Sequence, residues 1–316
     1  MPSRALSSPH AQTLFASFAR GPQLAGVWRE RWETSDGDFI DVDRIEGGQH
    51  APVLLLLHGL EGSSRAGYIR ETLRLAGLRG WSAVALNFRS CSGEPNRQLA
   101  SYCAGDYRDV KLCLRKLEQE GHTGPRFAVG FSLGGNVLLK LLGDEPALPF
   151  TAAAAVSVPY DLGACTARID SQGGFSFLYR QWFLYPLKKK GLLKAQQFPG
   201  ALDAAAIRAA QGIYDFDDAV TAKLFGFSSA AEYYARSSSG PLLKHIRVPT
   251  LLISAEDDAL APASLLPPEA HQNPALTLVT TPKGGHVGFV EGSLRAPQYW
   301  AEQQVLHFFA SRVTAG

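Results

Sequence analysis

From residue 53 onward, short and nearly uninterrupted apolar runs alternate with stretches of helical spacing. Val53-Leu54-Leu55-Leu56-Leu57 ends at His58-Gly59, and residues 81–88, 127–129, 152–158 and 248–254 repeat the pattern. Runs without polar alternation mark strands buried on both faces, as in parallel sheets. Between them, residues 69–78 have helical spacing before Gly80, and residues 106–120 place Val110, Leu112, Leu114 and Leu117 on one helix. Residues 135–142 predict another helix, 276–280 the last strand, and 298–313 a closing amphipathic helix. Ahead of these runs, residues 27–33 and 39–45 read as strands joined through Ser35-Asp36-Gly37-Asp38, a hairpin turn.

Strands alternating with helices imply right-handed crossovers and an α/β fold with a mostly parallel central sheet flanked by helices. Residues 160–247 break the rhythm. They are polar and aromatic with no β-run, and they fall between two sheet strands. The expected organisation is a core of residues 1–159 and 248–316, carrying a helical lid insertion of residues 160–247 at the sheet's carboxyl edge.

Composition narrows the function classes. The 316 residues are 46% hydrophobic, enough for a large core, and a net charge of +2 implies no nucleic-acid partner. The four cysteines, Cys91, Cys103, Cys113 and Cys165, form no C-x-x-C pair, so neither metal nor redox cofactor is expected. They read as reduced thiols of a cytoplasmic protein. The opening Met1-Pro2-Ser3-Arg4-Ala5-Leu6 lacks a signal peptide's apolar core, and no stretch approaches a transmembrane span. Alanine richness and a single methionine, Met1, point to a bacterial source. A monomer is expected.

The chemistry concentrates at Gly130-Phe131-Ser132-Leu133-Gly134, where a strand breaks into a helix with a serine at the apex. Glycines at 130 and 134 leave room for that sharp turn. A serine hydroxyl needs a base to take its proton, and the base needs an acid to fix its tautomer. The acid is expected after the strand that follows the insertion, where Glu256-Asp257-Asp258 stand before Pro262. Asp258, four residues before the proline, fits best, with Asp257 next. The base is expected after the last strand, in Lys283-Gly284-Gly285-His286. Backbone donors for a developing oxyanion are expected at Leu133, next to the serine, and at Leu60 in His58-Gly59-Leu60-Glu61-Gly62. His58 reads as a loop-shaping residue. His10, in polar surroundings, competes poorly as a base.

This combination resembles the alpha/beta-hydrolase superfamily over nearly the whole chain. Ser8-Pro9-His10-Ala11-Gln12-Thr13-Leu14, His58-Gly59-Leu60-Glu61-Gly62-Ser63 and Asn87-Phe88-Arg89-Ser90-Cys91-Ser92-Gly93 look like its YheT-like branch. That branch includes eukaryotic lipid-acting and plant embryogenesis-associated members. Its usual F-R-G-C-S-G has Ser90 here in place of the first glycine. The resemblance implies an esterase-like serine hydrolase.

The reading is therefore a carboxylic-ester hydrolase working through an acyl-enzyme on Ser132, with His286 as base and Asp258 as its orienting acid. Its substrate would be a small-molecule acyl ester or lipid. An acyltransferase on the same three residues and a catalytically silent binding protein are the alternatives. Within the insertion, Phe175 to Tyr185 is densely aromatic, Pro186 should stop its helix, and Lys188-Lys189-Lys190 follow. Either an apolar acyl channel with a basic, membrane-facing mouth or a packed helix with solvated lysines fits this stretch. Aromatics between residues 214 and 227 extend the insertion's helices.

Overall fold

A computed structural model describes residues 6–18, 25–171, 173–293 and 296–313 of the chain. Residues 1–5, most of the stretch read above as lacking an apolar leader, lie outside them. Helix α1 (Pro9–Phe18) leads into β1 (Trp28–Glu33) and β2 (Phe39–Ile45), which pair as an antiparallel hairpin. Then come β3 (Val53–Leu57), α2 (Gly67–Gly77), β4 (Ser82–Asn87), α3 (Arg108–Gln119), β5 (Arg126–Phe131), α4 (Leu133–Asp144) and β6 (Ala152–Val156). Helices α5 (Leu162–Asp170), α6 (Gly174–Gln197), α7 (Ala204–Ala209), α8 (Ile213–Phe216), α9 (Ala222–Leu224) and α10 (Ala230–Ser237) form an insertion. The sheet resumes with β7 (Thr250–Ala255) and β8 (Leu276–Thr281). A separate hairpin of β9 (Val290–Ser293) and β10 (Ala296–Tyr299) precedes α11 (Trp300–Val313).

The eight-stranded sheet has the order β1-β2-β4-β3-β5-β6-β7-β8. Pairings from β4 through β8 are parallel, and β1 and β2 are antiparallel. Strand β3 explains the unbroken leucines. Val53, Leu55 and Leu57 enter the core beneath α3 and α4, while Leu54 and Leu56 enter the opposite core beneath α2 and α11. Both faces are apolar because both are covered. The edge strand β1 carries Arg29, Glu30, Arg31 and Glu33, charges that discourage pairing with another chain. On the α11 face, Phe127 stacks on Phe309 with ring centroids 4.6 Å apart.

Three expectations need correction. Pro186 does not end its helix; α6 runs through it to Gln197. A proline removes one i→i−4 hydrogen bond, but Leu184 and Leu187 on this stretch pack into the insertion's own cluster, around Ile207 and Phe216. Residues 276–280 are not the last strand, because β9 and β10 follow. Both are only four residues long, and Pro297 and Gly292 disguise them as loop. Gln298 consequently lies in β10, and the closing helix starts at Trp300. Among the described residues, no helix is long and apolar enough to cross a membrane.

Candidate active site

Ser132 sits between β5 and α4 at φ +52°, in the left-handed region that non-glycine residues rarely adopt. Its N–H donates to Val156 O on the neighbouring strand (2.8 Å), which holds the strained turn in place. The flanking glycines are sterically required. A Cβ on Gly130 would stand 2.3 Å from Gly134 O, and one on Gly134 would stand 2.5 Å from the carbonyl oxygens of Leu57 and His58.

The structure brings together the three side chains expected from the sequence. Ser132 Oγ lies 2.8 Å from His286 Nε2, and His286 Nδ1 lies 2.9 Å from Asp258 Oδ2. A carboxylate can only accept, so with Nδ1 donating to Asp258 the geometry leaves Nε2 to accept from the serine hydroxyl. Asp258 is 1% exposed, and its other oxygen accepts the N–H groups of Leu260 (2.8 Å) and Ala261 (2.9 Å). Its neighbour Asp257 has a separate task. Its Oδ1 accepts the N–H groups of Gly284 and Gly285 (2.9 Å each), anchoring the loop that carries His286. Such a chain can draw a proton from a hydroxyl and hold the imidazolium that results.

Leu60 and Leu133 line one cavity with Ser132, and no acceptor for either N–H is found among the described residues. His58 is fully buried, and burial lowers its pKa to about 4, so it is neutral. Nδ1 is 2.7 Å from Gly59 O, and Nε2 accepts Phe88 N–H at 3.1 Å, pinning the β3 loop to the end of β4. This is the loop-shaping part expected of it. Ser90, standing where the resemblance implies glycine, is at φ +64°. Its N–H donates to Asn96 Oδ1, and its Oγ accepts Asn96 N–H at 3.3 Å. These bonds hold a conformation that glycine would reach without strain.

Sequence reasoning missed the clamp from α1. Thr13 Oγ1 accepts His286 N–H at 2.9 Å, and Gln12 exchanges hydrogen bonds with the backbone of Val290 (2.6 and 3.0 Å). Gly285, at φ +60°, leaves no room for a Cβ against Pro9 O, which would be 2.3 Å away. His10 is not in purely polar surroundings. It stacks on Phe175 at 3.9 Å and lies 3.0 Å from Tyr179 OH, tying α1 to the insertion. Gln12 and Thr13 lie in the stretch Ser8 to Leu14 that resembles the YheT-like branch, but nothing in that stretch says which distant residues they hold.

Two cavities meet at Ser132 and His286. The inner one, about 130 Å³, runs under the insertion and is lined mainly by apolar groups such as Leu162, Ile169, Phe183, Phe216 and Leu260. The outer one, about 280 Å³, opens past Thr13, Ser63, Arg65 and Trp182. Asp217, in a π-helical turn between α8 and α9, faces the inner cavity. Burial raises its pKa to about 6, while Thr221 Oγ1 (2.6 Å) and Tyr234 OH (2.7 Å) donate to it. Among the described residues, no group of side chains is arranged to hold a metal ion.

Fold and site together define the class. Residues 54–302 match the alpha/beta hydrolase family, and the chain belongs to it. Within that family it is YheT-like. It is 38% identical to YheT of Escherichia coli (strain K12), over 96% of this chain and 91% of that protein. It is 30% identical to phospholipase ABHD3 of Homo sapiens, over 89% and 71% respectively. The fold superposes on the Pyrococcus furiosus esterase Pf2001 with a TM-score of 0.58 at 17% identity, covering 94% and 97% of the two chains. Its relatives make the chain an esterase-like hydrolase.

Proposed function

We propose that the protein cleaves carboxylic esters through an acyl-enzyme on Ser132. The observation that carries this reading is the continuous hydrogen-bonded chain from Ser132 through His286 to Asp258, placed where the two cavities meet. His286 Nε2 takes the serine proton as Oγ attacks the ester carbonyl. The tetrahedral oxyanion is received by the N–H groups of Leu60 and Leu133, each donor contributing roughly 10²–10³ in rate. His286 then gives the proton to the departing alkoxide, leaving the acyl group on Ser132. In the second half, water loses a proton to Nε2 and attacks the acyl carbon. Ser132 recovers its proton, and the carboxylic acid departs.

The apolar inner cavity suits the acyl chain, and the outer cavity suits the alcohol. The insertion of residues 160–247 acts as a cap over the acyl chain. Lipid esters suit this division, in keeping with the phospholipase among the relatives. Phe175, Phe177 and Leu178, exposed on α6, suit transient contact with a lipid surface. Four free cysteines suit a reducing cytoplasm.

Ser132→Ala should abolish turnover of p-nitrophenyl butyrate with an unchanged circular-dichroism spectrum. Retained turnover would refute the assignment.

A further inference from the structure

We propose that Lys190, carried by α6 of the insertion, is a positioning residue that fixes the Leu60 N–H by clamping the adjacent Glu61. This rests on the ester-hydrolase reading above, in which that N–H receives the oxyanion.

Lys190 Nζ forms an ion pair with Glu61 Oε2 at 2.8 Å, and the Glu61 side chain is only 5% exposed. Tyr102 OH donates to Glu61 Oε1 (2.9 Å) and accepts the Glu61 N–H (2.9 Å). Glu61 itself is at φ +54°, a strained conformation that its side-chain bonds must maintain. On the other side of Leu60, Gly59 N–H donates to Tyr68 OH at 3.0 Å. The backbone is thus pinned on both flanks of Leu60, whose own N–H is left for a ligand.

A nearly buried ion pair is a poor source of stability, because desolvation offsets the attraction. Its value lies in geometry. Burial alone would lower the Lys190 pKa, but the Cys91 sulfur (3.3 Å from Nζ) and Glu61 outweigh that and keep it raised. Lys190 therefore stays charged in place. The neighbouring lysines do other things. Lys188 donates to carbonyls of Arg208 and Ala210 within the insertion, and Lys189 is in water. Lys194 crosses to the carbonyls of Asn96 and Gln98, away from Leu60. Lys190 is thus the one of these four that reaches the loop beside Ser132, so the cap contributes directly to the geometry of the oxyanion donors.

The test compares Lys190→Met, Glu61→Gln and Lys190→Arg, with active sites counted by fluorophosphonate labelling of Ser132. Lys190→Met and Glu61→Gln should each lose about 10- to 100-fold in kcat per labelled site, with KM for p-nitrophenyl butyrate within about threefold. Affinity for a trifluoromethyl ketone, whose adduct places an oxyanion on the same donors, should fall in step with kcat/KM. Lys190→Arg, which keeps the charge, should recover most of the loss. If Lys190→Met does not fold, Glu61→Gln carries the same comparison. Unchanged kcat per labelled site, or a loss of kcat with undiminished ketone affinity, would overturn the role. Absence of labelling in the unaltered protein would instead overturn the ester-hydrolase reading and this role with it.

Discussion

At the residue scale, adjacent acids receive different work from the backbone around them. Asp258 points at His286, whereas Asp257 accepts from the two glycines before it. Asp258→Asn should therefore lower kcat by about 10⁴-fold, because an amide favours the wrong imidazole tautomer. Asp257→Asn should stay within about 10-fold, since its amide oxygen can still accept both N–H groups. Steady-state kinetics on one soluble ester decides the order, and the reverse ranking would move the acid by one position. The glycines before and after Phe131-Ser132-Leu133 were legible because their clashes are local to a turn. Gly134→Ala should destabilise by at least about 2–3 kcal/mol in urea unfolding, since its Cβ would strike two carbonyl oxygens of the rigid β3 end. Lys190 and Thr13 were not legible. Their partners lie 129 and 273 residues away, the first by the difference between positions 190 and 61, and no local pattern marks such contacts.

At the element scale, α11 shows what periodicity conceals. Its apolar face was expected, and Val305, Leu306 and Phe309 are buried. Glu302 shares that burial at 1% exposure, and neither carboxyl oxygen has a hydrogen-bond partner among the described residues. Burial first, and then the nearby Glu71, raises its pKa from the ordinary 4.5 to about 8. The folded protein thus holds a proton that the unfolded chain releases above about pH 4.5. Stability from this group is complete below that pH and is lost as pH rises toward 8. Glu302→Gln removes the loss. Its melting temperature should exceed the parent's by about 3–6 °C at pH 8.5, with the margin narrowing toward pH 5. A margin independent of pH would contradict the account. The strands of the main sheet were readable because burial on both faces suppresses polar alternation. The β9–β10 hairpin was not, because four-residue strands containing glycine or proline carry no period. Pro186 misled for a related reason: one lost hydrogen bond is small beside the packing of a 24-residue helix.

At the scale of the whole molecule, the sheet places Ser132, Asp258 and His286 at one edge, and the insertion supplies what surrounds them. The alternating runs made the sheet and the interruption visible. The shape of the cavities was not visible, because it depends on how the insertion's helices pack over that edge. An inner cavity of apolar lining should reward longer acyl chains. Each buried methylene contributes about 0.8 kcal/mol, so kcat/KM for p-nitrophenyl esters should climb roughly fourfold per carbon until the cavity is filled. A preference for acetate over butyrate and hexanoate would place the acyl chain elsewhere.

The most direct measurement is the site of covalent labelling by a fluorophosphonate, read by peptide mass spectrometry in the unaltered protein and in His286→Ala. The account predicts one label, on Ser132, formed at least about 10²-fold more slowly without the imidazole. A label on another residue, no label, or equal labelling in the two proteins would contradict it.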